Sequence, residues 1–395
     1  MNIENINENK NYNILIVDDV DINRDFIKTV ITTLDNKLNV TIFEAANGLE
    51  AFKKITDIPN ISLVILDMMM PEYDGFYFLE KYSQEFSRYY IPIIVMSAAG
   101  DNEVIKKAYN YGIYDYFIKP LSSDRFLSFE LKVKNAIKMR EALYELDTKT
   151  RILENDLRLA SKLQYQFLPK QFSLDDFEMA YYFKPYSALS GDYIDFFNID
   201  EDKKLIILAD VVGHGTASAI IAAILKTHTS DFIDNNPEFN LEKYVVETNK
   251  ELLKMDIEGN LVTAFIGVYK RKTRELEYII AGHPYPMIMD EKSFNVEFVK
   301  DGSFLPMGLF DNIQVKSVSR ILSPGTTLII YTDGIMEARD SEGKIFGLNN
   351  LQSFTKGFIE TKKKFVYYDF VDSLLLNLSS VSDDISIIFM TIKDE

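Results

Sequence analysis

Within its first 120 or so residues the chain carries five short apolar runs that alternate with helix-forming segments, and four of these runs stop on polar side chains. Residues 14–17 stop at Asp18 and Asp19, 62–66 at Asp67, 93–96 at Ser97 and 116–118 at Lys119, while 40–44 is the remaining run. Apolar strands without alternation, separated by helices such as 21–34, imply a parallel sheet covered on both faces. Ligands of such sheets bind beyond the carboxyl ends of the strands. The spacing therefore predicts an α/β doubly wound, parallel five-stranded domain over 11–121, with Asp18, Asp19, Asp67, Ser97 and Lys119 in one pocket.

A second set of carboxylates lies in the C-terminal half. Asp192 sits in Ser-Gly-Asp-Tyr-Ile-Asp, Asp210 in Ala-Asp-Val-Val-Gly-His-Gly, Asp333 in Tyr-Thr-Asp-Gly-Ile, and Asp384 in Asp-Asp-Ile-Ser. Each is next to a turn or strand end. Carboxylates converging from distant segments suit a hard divalent cation, whereas a core would not bury them unpaired, at several kcal/mol each. Strand-like runs at 177–182, 205–210, 262–269, 275–281, 327–332 and 385–390, with helices at 216–233, 241–254 and 365–376, predict an α+β domain over 172–395.

Between the two lies 122–168, whose residues up to Phe167 include neither Gly nor Pro before Pro169 ends the segment. Ala136, Met139, Leu143, Leu146, Thr150, Leu153, Leu157, Ala160, Gln164 and Phe167 recur in steps of three and four, the seam of a coiled coil. Thr150 and Gln164 interrupt it and are expected to set register. A long amphipathic helix packed on its own domain is the other reading of this pattern.

A net charge of −17 argues against nucleic acid and anionic membrane surfaces as partners. No basic recognition helix is present, which speaks against a DNA-binding regulator. The absence of cysteine excludes disulfides and thiolate metal sites. The first 13 residues are rich in Asn and Glu and do not read as a signal peptide, and no apolar run approaches the ~18 residues of a membrane span. The expected location is cytoplasmic.

The first segment resembles the receiver domain of bacterial response regulators. The resemblance implies that Asp18, Asp19 and Asp67 hold Mg²⁺ with the Met69 carbonyl, and that Asp67, in Leu-Asp-Met-Met-Met-Pro-Glu-Tyr-Asp-Gly, also accepts a phosphoryl group. Ser97 and Lys119 would contact that group, Lys119-Pro120 would be the usual cis peptide, and Tyr116 would be the aromatic that swings inward on activation. The chemistry is coherent: a carboxylate nucleophile forms an acyl phosphate while a cation and an ammonium offset the transferred charge. Ser97 stands where many relatives have Thr.

From about Leu159 to the end the chain resembles the stage II sporulation E/RsbU branch of PP2C-type, metal-dependent protein phosphatases. The motifs Ala160 to Pro169, Ala281-Gly-His-Pro-Tyr-Pro286, Leu305-Pro-Met-Gly308, Ser323-Pro-Gly325, Tyr331-Thr-Asp-Gly-Ile-Met-Glu-Ala338 and Asp383-Asp-Ile-Ser386 follow in the family's order. The resemblance implies a β-sandwich flanked by helices, with two Mn²⁺ or Mg²⁺ ions bridged by Asp210 and the Val211 carbonyl. Asp333 and Asp384 would hold one ion, and Asp192 would contact the site directly or through metal-bound water. Gly191, Gly213 and Gly334 either let backbone approach the ions or mark turns. Asp195 and Asp383 read as solvated carboxylates that stand behind the ion ligands or cap a turn, His214 and His283 as structural, and His228 as solvated helix surface.

Together these features predict a response regulator in which phosphorylation of Asp67 controls a serine/threonine phosphatase through a dimerising helix. The resemblance implies a histidine kinase or other phosphodonor upstream. It also implies a phosphorylated anti-anti-sigma (STAS) protein as substrate, in partner-switching control of a sigma factor. The alternative is a receiver-gated, phosphatase-like module that captures a partner without turnover.

Overall fold

The structure, a computed structural model, describes residues 11–33, 39–85, 90–98, 101–120, 125–174, 176–213, 215–255 and 261–393. The chain divides into two compact units, Met1–Glu154 and Asn155–Glu395.

In the first unit, β1 (Asn11–Val17), β2 (Asn39–Ala45), β3 (Ile61–Asp67), β4 (Ile93–Ser97) and β5 (Asp115–Ile118) form one sheet in the order β2-β1-β3-β4-β5. Every pairing is parallel. Helices α1 (Asp21–Thr33), α2 (Gly48–Asp57), α3 (Gly75–Glu85) and α4 (Asn102–Tyr109) connect the strands. Successive strand residues point to opposite faces, and both faces are covered. Ile14, Ile16, Leu63 and Ile65 pack with α1 and the start of α5, whereas Leu15, Val17, Val64 and Leu66 pack on the other side with α2 and α3. This is why the strands read as continuous apolar runs. The Asn47 side chain caps α2 by accepting the Glu50 amide at 2.9 Å, and Glu50 Oε2 accepts the Ala46 amide at 2.8 Å.

Helix α5 (Phe126–Phe167) starts in the first unit, where Phe129, Val133, Ala136 and Ile137 are buried in its core. The Tyr12 hydroxyl donates to Glu141 at 2.9 Å. From 148 to 159 every residue of the helix is exposed, Leu153 at 63%. Among the described residues no helix is long and apolar enough to cross a membrane.

The second unit is a sandwich of two sheets. One runs β14-β11-β10-β9-β8 with β15 paired to β11; the other runs β13-β12-β16-β17-β7-β6. The first comprises β8 (Tyr193–Asn198), β9 (Lys203–Val211), β10 (Val262–Lys270), β11 (Glu275–Ala281), β14 (Ser303–Phe304) and β15 (Val318–Ile321). The second comprises β6 (Phe172–Ser173), β7 (Phe177–Lys184), β12 (Met287–Asp290), β13 (Asn295–Phe298), β16 (Thr326–Tyr331) and β17 (Ile385–Ile392). Phe177, Met179, Ile206, Leu208, Phe265, Ile330, Ile388 and Met390 fill the space between the sheets. On the outer faces, α6 (Thr216–Asn235) and α7 (Leu241–Lys254) cover Ile207, Ala209 and Ile266, while α9 (Gly347–Lys362) and α10 (Tyr367–Leu375) cover Ile329, Tyr331 and Phe389. The short helix α8 (Gly334–Glu337) follows β16. Strand β8 and helix α9 are absent from the sequence reading, because β8 carries Asp195 mid-strand and α9 opens and is interrupted by glycine.

Two candidate acidic sites

The first site lies at the carboxyl ends of β1, β3, β4 and β5. Asp18 and Asp67 are buried and Asp19 is exposed, yet one oxygen from each lies within 4.8 Å of the others. Lys119 Nζ spans the pair, 2.7 Å from Asp18 Oδ2 and 2.8 Å from Asp67 Oδ2. Burial pushes the Asp67 carboxyl up from its ordinary range, while the hydrogen bond from Lys119 pulls it back. The Lys119-Pro120 peptide is cis, as the sequence leads one to expect. Ser97 is buried at the end of β4, but its hydroxyl donates to Asp101 Oδ2 at 3.1 Å rather than to Asp67. Tyr116 is half-buried on β5, edge-on to Tyr109 with centroids 6.2 Å apart. The Met69 amide faces Asp67 Oδ1 at 3.5 Å.

Three residues of this site escape the sequence reading. Asn23 Nδ2 donates to Asp18 Oδ1 at 3.0 Å, Arg24 Nη1 donates to the Asp18 carbonyl at 2.6 Å, and Asp101 takes the Ser97 hydroxyl. Asn23 and Arg24 lie in the first turn of α1, the place from which a helix reaches a preceding strand end.

The second site is built by neighbouring strands from the two sheets. Asp192 immediately precedes β8, and Asp210 is the penultimate residue of β9, which pairs with β8. Asp333 lies two residues after β16, and Asp384 immediately precedes β17, which pairs with β16. Thr332 joins the halves: its hydroxyl donates to Asp192 Oδ2 at 3.2 Å, and it accepts the Ser386 amide at 3.0 Å.

The carboxylates repel one another. Burial, then the charges of Asp333, Asp383, Asp384 and Glu337, push Asp210 up to about 7. Burial, then Glu337 and Asp383, push Asp333 up to about 6, and a hydrogen bond with Asp210 partly offsets this. Asp192 is driven well above the carboxylate range by burial first and by Asp210 next. Its Oδ1 is buried with no hydrogen-bond partner. An orphaned carboxylate oxygen among mutually repelling carboxylates suits a hard cation in its chemistry, while among the described residues only Asp18, Asp19 and Asp67 already bring three ligand oxygens within 4.8 Å of one another. The Val211 carbonyl oxygen lies 3.0 Å from where a Cβ on Gly191 would sit, so the missing side chain permits that close approach.

Asp384 accepts a backbone amide on each carboxylate oxygen, Tyr186 on Oδ1 at 2.7 Å and Gly191 on Oδ2 at 2.9 Å, and its charge acts on Asp192 and Asp210. It therefore braces the loop, and each oxygen keeps a further lone pair. Its neighbour Asp383 is half-buried, acts on both Asp210 and Asp333, and accepts the Asp384 amide at 2.8 Å. Glu337, one turn beyond Asp333 on α8, is a further member that the sequence reading lacks.

The remaining candidates fall apart from the cluster. Asp195 is buried against the Lys226 ammonium and the Tyr193 hydroxyl, and is absent from the charges acting on Asp192, Asp210 and Asp333. Neither a solvated residue nor a cap, it is half of a buried ion pair. His283 is buried with Nδ1 3.1 Å from Thr263 Oγ1, and burial lowers its pKa to about 3. His228 is half-buried and stacked on Tyr244, centroids 6.0 Å apart, which corrects the reading of it as solvated. His214 lies outside the described residues. Gly334 is a site of close approach, since a Cβ there would fall 2.0 Å from the Asp384 carbonyl oxygen. Gly213, at φ +94° with open space around it, is turn punctuation.

Residues 14–129 match the family model of the response regulator receiver domain, and residues 200–393 match that of stage II sporulation protein E (SpoIIE). The chemotaxis protein CheY of Listeria monocytogenes is 37% identical over 116 residues, which are 29% of this chain and 91% of CheY. The phosphoserine phosphatase RsbU of Bacillus subtilis is 23% identical over 283 residues, 69% of this chain and 82% of RsbU. The phosphoserine phosphatase RsbP of the same organism is 28% identical over 198 residues, 49% of this chain, and the match spans only 47% of RsbP. Among solved structures, the SiaA-PP2C domain of Pseudomonas aeruginosa superposes with a TM-score of 0.52 at 19% identity, over 62% of this chain and 99% of that one. That likeness is one of fold.

Proposed function

We propose that this chain, which belongs to the response regulator receiver family and joins its receiver to a SpoIIE-type PP2C domain, is a metal-dependent protein serine/threonine phosphatase set by phosphorylation of Asp67. The observation that carries this reading is the second acidic cluster, where burial and crowding hold Asp210 near neutrality. Such a group is poised to exchange its proton for a cation at physiological pH.

In this reading Asp192, Asp210, the Val211 carbonyl, Asp333 and Asp384 would hold the ions with Asp383 beside them, and Asp384 also fixes the loop that carries Asp192. Two bound divalent cations would lower the pKa of a water, orient the phosphate and stabilise charge during in-line attack. The chain's own part is to present oxygen donors on the ends of rigid strands. With His283 neutral and buried, no histidine among the described residues of this site is placed to hand a proton to the leaving serine or threonine oxygen.

In the receiver, Asp67 is the phosphoacceptor, and Asp18, Asp19, Asp67 and the Met69 carbonyl would hold Mg²⁺. Lys119, already between the two buried carboxylates, moves its charge to the phosphoryl oxygens. Ser97 leaves Asp101 to donate to the same group, and Tyr116 follows it inward. We assign 11–121 to the receiver, 122–168 to the linker and 172–395 to the phosphatase domain. The exposed leucines of α5 support a homodimer through that helix. A histidine kinase or other phosphodonor would act on Asp67, and a phosphorylated STAS protein of a partner-switching system is the proposed substrate, in keeping with relatives described as phosphoserine phosphatases.

The test is Mn²⁺-dependent release of phosphate from a phosphoserine STAS protein, with and without beryllofluoride as a mimic of phospho-Asp67. Turnover that needs Asp210 and responds to beryllofluoride only when Asp67 is present is expected. Stable binding of the partner without turnover in either state would move the assignment to a capture module.

A further inference from the structure

Gln164 stands near the C-terminal end of α5. Its Nε2 donates to the Ser190 carbonyl at 2.7 Å, and its Oε1 accepts the Ser190 amide at 3.0 Å. One side chain thus takes both backbone polar groups of Ser190, as a paired strand residue would. The next amide, of Gly191, donates to Asp384 Oδ2 at 2.9 Å, and the one after it, of Asp192, donates to Ser190 Oγ at 3.0 Å. All three amides of the strap Ser190-Gly191-Asp192 are therefore assigned. Two of them are held by the sandwich or by the strap itself. The first is held by the helix that begins in the receiver unit.

The strap has little room to move on its own. A Cβ on Gly191 would lie 2.9 Å from Ser218 Cβ and 3.0 Å from the Val211 carbonyl oxygen, so the backbone is wedged between α6 and the end of β9. Asp192, carried by this strap, has the orphaned Oδ1 and reports directly on strap position. By contrast, the helix side is loosely packed. A cavity of about 230 Å³ separates Ala160, Leu163 and Phe167 of α5 from Ala219, Ile220 and Ala223 of α6. Leu163 and Phe167 remain 55% and 47% exposed. Apolar packing that loose does not lock the last turns of α5. Tyr165 adds an edge-on ring contact to Phe183 with centroids 5.6 Å apart, and the Gln164 pair is the hydrogen-bonded tie to the strap.

We propose that Gln164 is the positioning residue through which α5 sets the Asp192 carboxylate, and with it the divalent-cation affinity of the Asp192, Asp210 and Asp333 cluster. The inference deepens the phosphatase reading and rests on it. A turn or slide of α5 by about 1 Å would take both amide contacts beyond hydrogen-bonding distance. The strap would then keep only its Asp384 and Ser190 ties, and Asp192 would lose its fixed position. Groups that orient a ligand without touching the ion typically change metal affinity by about 10–100-fold when removed.

The experiment compares full-length wild type, Gln164→Met, Gln164→Glu, Leu163→Ala and Asp210→Asn. Gln164→Met keeps side-chain length but removes both hydrogen bonds; Gln164→Glu keeps an acceptor for the Ser190 amide. Mn²⁺ affinity is read by electron paramagnetic resonance of free Mn²⁺, and amide hydrogen exchange is followed over 190–192 in metal-free protein. Gln164→Met is expected to weaken Mn²⁺ binding about tenfold and to speed exchange at Ser190. Gln164→Glu should lie between it and wild type. Leu163→Ala, which loosens α5 without touching the strap, should leave Mn²⁺ affinity within twofold or so. Unchanged affinity and exchange in Gln164→Met, or an equal loss in Leu163→Ala, would overturn the assignment while Asp210→Asn still abolished binding. If Asp210→Asn also left Mn²⁺ binding intact, the metal-site reading and the Gln164 inference would fall together.

Discussion

Asp384 Oδ2 accepts the Gly191 amide at 2.9 Å, a bond between residues 193 positions apart. With the Tyr186 amide on its other oxygen, Asp384 ties β17 to the loop before β8. Asp384 thereby braces the loop as well as acting on Asp192 and Asp210, whereas its neighbour Asp383 acts on Asp210 and Asp333 without a tie to that loop.

Exchanging each for asparagine separates those tasks. Asp384→Asn loses one acceptor from a buried, charge-assisted pair and is expected to cost about 2 kcal/mol of stability. Asp383→Asn removes only a half-buried charge and should leave the unfolding midpoint nearly unchanged while Mn²⁺ affinity falls. Chemical denaturation together with Mn²⁺ titration of both variants checks this. Mn²⁺ affinity lost in Asp384→Asn but kept in Asp383→Asn would leave the ligand role with Asp384 alone.

Gly334 is a steric test of the same corner. A methyl group there would sit 2.0 Å from the Asp384 carbonyl oxygen, and backbone on both sides has no side chain to rotate away. Gly334→Ala should therefore cost several kcal/mol, at the severe end for a single substitution. A melting temperature within about 2 °C of wild type would show that α8 can shift freely.

In the receiver, Lys119 neutralises two carboxylates that are both buried. Lys119→Met leaves Asp18 and Asp67 facing each other without their ammonium, so a divalent cation becomes the main remaining counter-charge. Mg²⁺ should stabilise this variant against heat more than it stabilises wild type, whereas beryllofluoride should no longer alter phosphatase activity. Equal Mg²⁺ stabilisation in both proteins would contradict this account of the site.

The receiver pocket was legible because buried parallel strands advertise themselves as apolar runs and end where ligands bind. Asp18, Asp67, Ser97 and Lys119 each landed at the end of a strand for that reason. The bracing task of Asp384 was not legible, since its amide partners Tyr186 and Gly191 lie 198 and 193 positions away in sequence. Gln164 looked like a register-setting residue because its heptad spacing is correct, and only the docking of the last turns of α5 reveals its backbone partner. His228 and Asp195 misled for a shared reason: α6 packs tightly enough against the sheet and α7 to bury polar groups. Asp195 then pairs with Lys226, while the His228 ring packs on Tyr244 with its Nε2 buried and unpartnered among the described residues.

Burial and mutual repulsion raise Asp210 to about 7 and Asp333 to about 6 in the metal-free protein, and raise Asp192 in the same direction. The folded chain therefore keeps protons that the unfolded chain releases near pH 4. Between about pH 4 and 7 the native state binds more protons, so stability must fall as pH rises through that window. In chelator, wild type should melt at a lower temperature at pH 7.5 than at pH 5, and Asp210→Asn should flatten the slope. Mn²⁺ binding requires these carboxyls ionised, so its affinity should climb over the same interval. Parallel slopes for wild type and Asp210→Asn would show that the cluster does not control this titration.

Leu146 and Leu153 lie on the seam of α5 and are 62% and 63% exposed in the single chain. On a monomeric helix, exchanging exposed leucines for lysine changes stability by about 0.5 kcal/mol or less. Across a coiled-coil interface the same exchange buries two unpaired ammonium groups per helix and separates the strands. The double variant Leu146→Lys, Leu153→Lys is thus expected to sediment as a monomer under conditions where wild type is a dimer, with each unit still folded by circular dichroism. Its phosphatase activity should cease to respond to beryllofluoride, because the receiver would no longer act through a paired helix. A variant that sediments and responds like wild type would remove the seam from the account and leave α5 as a lone connector.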